Sequence, residues 1–150
     1  MRLLLPRILL AGYLVAVGFV VWSPQPDDPR NPGILAVLAR WVAIPGLPAE
    51  LVYDTLEVAA NVALFVPFGV LVAIVVPRLR VWSTTLAGLG TSLLIEGVQL
   101  ALPTRHSTVS DLVANTAGAF LGATAIAVLR RRRGSAAGTP VSRAAASRPS

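Results

Sequence analysis

The chain has 150 residues, 55% of them hydrophobic and only 13% charged, with mean hydropathy +0.71, a balance that suits a bilayer rather than a water-soluble core. All 13 basic residues are arginines, giving a formal net charge of +6, but most of them flank apolar runs, which points away from nucleic acid and towards a membrane. The absence of cysteine excludes disulfides and thiolate metal sites.

The pattern defines an all-α integral membrane bundle of four transmembrane helices. It divides into a first helix (1–22), an exported loop (23–57), a three-helix core (58–129) and a basic, disordered tail (130–150). The expected spans are Leu3–Trp22, Val58–Val76, Thr84–Leu102 and Ser110–Leu129, each near the roughly 20 residues a helix needs to cross about 30 Å of hydrocarbon. Arg2 and Arg7 ahead of the first run also fit a signal peptide, but VVWSPQP offers no small-x-small cleavage site. In the loop, ILAVLARWVAI is too short to span; it reads as a helix lying in the outer interface or as an irregular loop closed by IPGLP.

Orientation follows from arginine placement, because cytoplasmic flanks collect positive charge. Arg2, Arg7, Arg78, Arg80, Arg130–Arg133, Arg143 and Arg148 fall on one side, against Arg30, Arg40 and Arg105 on the other. Both termini are therefore expected in the cytoplasm of a multi-pass cell-membrane protein. The RRRR run suits anionic lipid but reads first as a topological anchor, and the small, polar, proline-containing segment after Arg133 buries too little to order itself.

In this topology the polar residues gather in the outer half of the slab. Glu57 and Asn61 are spaced i,i+4, Glu96 and Gln99 i,i+3, and Asp111 and Asn115 i,i+4, so each pair shares one side of its helix. Gly88 and Ser92 extend the Glu96 stripe, and Gly118 and Gly122 the Asn115 stripe, with small residues where helices approach closely. Pro67 and Gly69 interrupt the second helix and would free backbone carbonyls that need a partner. A buried carboxylate such as Glu96 must be protonated, paired or open to water, and Arg105, beside His106 in PTRHST, is the expected partner of Glu96 or Asp111. Asp111 with Ser110 also suits a helix N-terminus. One histidine among hard carboxylates is a poor metal signal, so neither metal nor cofactor is expected.

The segments NVALFVPFGVLV from Asn61, SLLIEGVQL from Ser92 and RHSTVSDLVANTAGAFLG from Arg105 resemble the three signature blocks of the VanZ-like membrane proteins. The resemblance covers Tyr53–Leu129 and leaves out the first helix and the tail. It implies a cell-envelope protein related to one associated with teicoplanin resistance, whose molecular activity is not established. It also marks Asn61, Pro67, Phe68, Gly69, Glu96, Gln99, Arg105, Asp111, Asn115, Gly118 and Gly122 as characteristic residues. Thr108 stands where family members often carry a second acid, so Glu96 and Asp111 would have to supply any pair of carboxylates.

Three functions fit these residues. In the first, Asn61, Gln99, Arg105, His106 and Asn115 line an outward-facing pocket that binds or shields an anionic envelope lipid or a lipid-linked cell-wall precursor, gripped by the Arg105 guanidinium. In the second, Glu96 and Asp111 are catalytic, working as acid and base on such a precursor. The third is a small transporter or structural membrane protein, with a homo-oligomer as the way to form a pore. Pro67, Phe68, Gly69, Gly118 and Gly122 carry the structural roles in each.

Overall fold

The computed structural model describes residues 3–22, 42, 47–100 and 109–137. Among them there are four helices and no strand: α1 (Leu4–Trp22), α2 (Ala49–Val75), α3 (Val81–Gln99) and α4 (Val109–Ala137). In a bilayer only a helix or a closed barrel satisfies every backbone group internally, and long apolar runs with few charges take the helical solution. Two of the helices, α2 and α4, are long and apolar enough to cross a membrane, while α1 contributes the shorter apolar run Leu4–Phe19. The third helix, α3, carries threonine, serine, glycine, glutamate and glutamine among its apolar residues.

Helix boundaries differ from those the hydropathy pattern suggests, for local reasons. The second helix begins at Ala49 rather than Val58, so Glu50, Asp54 and Glu57, expected in the exported loop, are helical. Pro48 occupies its N-cap with φ −59° and ψ 136°; a residue before proline is disfavoured in the α region, which stops the helix from extending back through Leu47. Glu50 in the first turn complements the positive end of the helix dipole. The third helix begins at Val81 and ends at Gln99 rather than Leu102. The fourth does not stop at Leu129 or give way to a disordered chain at Arg133. It runs to Ala137, because arginine and alanine are strong helix formers. The expected interfacial helix, Ile34–Ile44, lies outside the described residues apart from Val42.

The most extensive interface is α2 against α4, followed by α3 against α4; α1 packs on α2 and touches α3. Residue pairs give the directions. Gly118 approaches Val62 and Gly122 approaches Val66, so α2 and α4 run parallel, whereas Gly88 meets Ala119 and Ser92 meets Asn115, so α3 runs antiparallel to α4. Gly118 and Gly122 face α2 carbonyl oxygens, and Gly69 faces the Ala119 carbonyl oxygen, with no space for a Cβ at any of the three. Backbones at this distance can form Cα–H···O contacts, the packing mode of small-residue motifs in membranes.

The distribution of residue sizes is the reverse of a water-soluble core. The interior of the α3–α4 pair is small and polar, with Thr84, Gly88, Ser92, Ala114, Asn115, Gly118, Ala119, Gly122 and Ala123 all buried. Large apolar side chains face outward, including Leu5, Val15 and Phe19 on α1, Leu94 on α3 and Val113 and Leu121 on α4. Apolar surface of this extent is untenable in water and natural in lipid, where packing of small residues drives helix association. A compact aromatic contact anchors the centre: Phe65 and Phe68 are buried with ring centroids 5.6 Å apart and planes tilted by 41°.

Candidate functional site

Three helices bring their polar side chains to one end of the bundle. On α2, the Asn61 carboxamide donates from Nδ2 to Asp111 Oδ1 of α4 at 2.6 Å. One turn further along α4, Asn115 Nδ2 donates to Ser92 Oγ of α3 at 2.9 Å. Glu96 and Gln99 continue the Ser92 face of α3, each 8% exposed. The spacings Ser92–Glu96 and Asp111–Asn115 are four residues, which holds each pair on one helical face.

The charges and hydrogen bonds of this end are closely knit. Glu96 and Asp111 lie near enough for their charges to interact. Glu57, Glu96, Gln99 and Asp111 all have interaction partners. The Oδ1 of Asn115 is different: it is buried and has no hydrogen-bond partner among the described residues. A buried carboxamide oxygen left in this way costs about 1–3 kcal/mol unless a ligand or water supplies a donor.

The expected site residues are placed as follows. Asn61, Glu96, Gln99, Asp111 and Asn115 gather at this end of the α2–α3–α4 unit, while Arg105 and His106, with Thr108, lie outside the described residues. Phe68 is buried in the core, Pro67 is exposed on the outer side of α2, and Gly69, Gly118 and Gly122 form the close α2–α4 contact below the polar end. Among the described residues no three His, Cys, Asp or Glu side chains come together as a metal would require.

Two interactions escaped the reading of the sequence. The Tyr13 hydroxyl of α1 donates to the Leu64 carbonyl oxygen, so a side chain from the first helix bonds the backbone in the turn ahead of Pro67, which lies inside an unbroken helix and not at the interruption expected from the sequence. At the opposite end of the bundle, Arg130 Nη2 donates to the Ala73 carbonyl oxygen at 2.7 Å, and Nη1 to that of Pro77 at 3.5 Å. The Ala73 carbonyl would accept from the amide four residues on, but that residue is Pro77, which has no N–H. Arg130 replaces the missing donor and ties the C-terminus of α2 to α4. A proline four residues after an otherwise helical alanine is the signal that could have revealed the vacancy, although not which arginine fills it.

The polar cluster and the arginine end are therefore at opposite ends of one helical unit. Asp111 and Arg130 are separated along α4 by about 28 Å, close to the thickness of a hydrocarbon core. Searches of curated proteins and of solved structures return no match. The VanZ/LLP1 family model matches residues 9–130. That match is wider than the resemblance read from the three blocks, since it takes in most of α1, whose Tyr13 contacts α2. With the family model spanning α1 to Arg130, the chain belongs to the VanZ/LLP1 family.

Proposed function

We propose that all four helices cross the cell membrane with both termini in the cytoplasm, and that the polar end forms an outward-facing pocket for an anionic envelope lipid or lipid-linked cell-wall precursor. The observation that carries this reading is a polar cluster drawn from three helices in which the buried Oδ1 of Asn115 still calls for a donor, as a hydroxyl of a sugar-bearing precursor would supply. Holding three helices together requires far fewer polar groups, each contributing only about 0.6 kcal/mol on average in a membrane. The excess points to a ligand.

Glu96 and Asp111 place two carboxyl groups in the cluster, so an anionic ligand needs a cation nearby. Arg105 lies six residues after Gln99 and six before Asp111, tethered within about 20 Å of each by chain length. Its planar guanidinium suits bidentate contact with a phosphate, while the amides of Asn61, Gln99 and Asn115 fix orientation. Shielding such a precursor would also provide a route to the glycopeptide (teicoplanin) resistance with which the VanZ name is associated.

The test is binding of a radiolabelled polyprenyl diphosphate to the purified full-length chain in detergent. Arg105→Lys keeps the charge but loses the fork, and should weaken binding about tenfold or more without lowering the melting temperature. Glu96→Gln should leave binding within about threefold of the parent. Equal binding by the parent and Arg105→Lys would remove the arginine grip and with it this reading.

One observation favours enzymatic modification of such a precursor as the second reading. Glu96 is buried and Asp111 half-buried, and two carboxyl groups in unlike environments within one cluster suit acid and base roles. In that case Glu96→Gln abolishes product formation while precursor binding persists. Transport is less well supported, because among the described residues the interior polar groups thin out towards the arginine end of α2 and α4.

A further inference from the structure

The arginine end of the bundle contains a groove of about 890 Å³ between the start of α3 and the Phe120–Arg131 stretch of α4. Its walls are apolar, with Trp82 and Leu86 on α3 and Phe120 and Ile126 on α4, while Arg80 at the N-cap of α3 and Arg130 and Arg131 of α4 line its basic end. We infer that this groove holds an anionic phospholipid, with the phosphate at the N-terminus of α3 between the arginines and the upper part of an acyl chain along the Trp82–Phe120 walls. The inference rests on the membrane-spanning reading of the helices but not on the polar pocket at the other end.

Three features converge on the phosphate position. The N-cap of α3 is Arg80, which makes no side-chain cap, and the helical ladder starts with the Thr84 amide donating to the Arg80 carbonyl. The amides of Val81, Trp82 and Ser83 therefore have no partner within the helix, and such an uncapped first turn is a ready anion site. Thr84, which lines the groove, is 1% exposed and its hydroxyl has no hydrogen-bond partner among the described residues. Thr85 beside it and Thr91 two turns further along α3 instead donate back to the carbonyls of Val81 and Ala87. Arg80 and Arg131 bring positive charge, and Arg130 retains N–H groups beyond the two that hold α2. A basic recess between membrane helices at headgroup depth is suited to an anionic lipid. Charge and shape together select a lipid, since a free phosphate would leave the apolar length of the groove unused.

The experiment uses the full chain with Trp22→Phe and Trp41→Phe, so that Trp82 is the sole tryptophan. It is reconstituted into phosphatidylcholine bilayers containing either brominated phosphatidylglycerol or brominated phosphatidylcholine, and quenching of Trp82 is measured. Phosphatidylglycerol should be preferred by at least about fivefold. Arg80→Gln with Arg131→Gln, both exposed positions, should bring that preference near parity with an unchanged far-UV spectrum. Arg132→Gln with Arg133→Gln, which removes the same charge outside the groove, should leave it in place. Equal quenching by the two lipids would overturn the inference. So would an equal loss from the two arginine pairs, which would indicate diffuse attraction, or loss of the preference on adding inorganic phosphate alone.

Discussion

Replacing Gly118 with alanine adds a methyl group at one of the close backbone contacts between α2 and α4. Its Cβ would collide with the Val62 carbonyl oxygen and would lie 2.9 Å from Phe65 Cβ and 3.1 Å from the Val62 carbonyl carbon. Two of these three atoms are backbone, so no rotamer change relieves the clash and the helices must part. Parting them loosens the Gly122–Val66 and Gly69–Ala119 approaches in the same interface. Overpacking of this kind costs about 1–3 kcal/mol, and each weakened Cα–H···O contact adds about 0.5–1 kcal/mol. Alanine's better helix propensity returns up to about 1 kcal/mol. The net expectation is destabilisation by about 1–3 kcal/mol. Gly90→Ala on α3 is the control, because a Cβ there meets nothing within 4 Å, and it should range from neutral to about 1 kcal/mol stabilising. Reversible unfolding in mixed micelles of increasing dodecyl sulfate fraction, followed by circular dichroism, measures both. If Gly118→Ala and Gly90→Ala agree within about 0.5 kcal/mol, the α2 and α4 backbones do not meet at Gly118.

Other contacts give equally specific expectations. A double-mutant cycle on Asn61→Ala and Asp111→Ala should return a coupling of about 1–2 kcal/mol for the hydrogen bond to the carboxylate, and additive effects would show that the two side chains do not meet. Arg130→Ala should cost about 1–2 kcal/mol by leaving the Ala73 carbonyl without a donor, with Arg130→Lys recovering part of it; equal stability of all three chains would contradict the interhelical cap. Tyr13→Phe keeps the ring and removes only the donor to Leu64, so a loss of about 1 kcal/mol in the same unfolding assay is expected, and no loss would place that hydroxyl elsewhere.

The meeting of Asn61, Ser92, Asp111 and Asn115 was legible because depth and helical spacing agreed on all three core helices. Gly118 and Gly122 were legible for the same reason, as small residues extending one polar stripe. The start of α2 was not, because hydropathy reports where a helix enters the hydrocarbon, whereas Pro48 and Glu50 determine where it begins. The extension of α4 through Arg133 was hidden by treating charge as the end of structure, although a helix need not stop where a membrane does. Tyr13 could not be matched to Leu64 because nothing in the spacing of α1 fixes its register against α2. Arg130 resembled its three neighbours as a topological anchor, and only the fold singles it out through the carbonyl that Pro77 leaves without a donor.

In the proposed topology the Glu96–Asn115 cluster opens on the exported face and the arginine end on the cytoplasmic face. The chain has no cysteine of its own, so single cysteines at Thr55, beyond the polar end of α2, and at Ser135, beyond Arg130, report the two faces directly; both positions are exposed. In intact cells treated with a membrane-impermeant maleimide, labelling is expected at Thr55→Cys and, at Ser135→Cys, only after the membrane is permeabilised. Labelling of Ser135→Cys alone in intact cells would invert the bundle, turn the polar cluster towards the cytoplasm and contradict the proposed handling of an exported precursor.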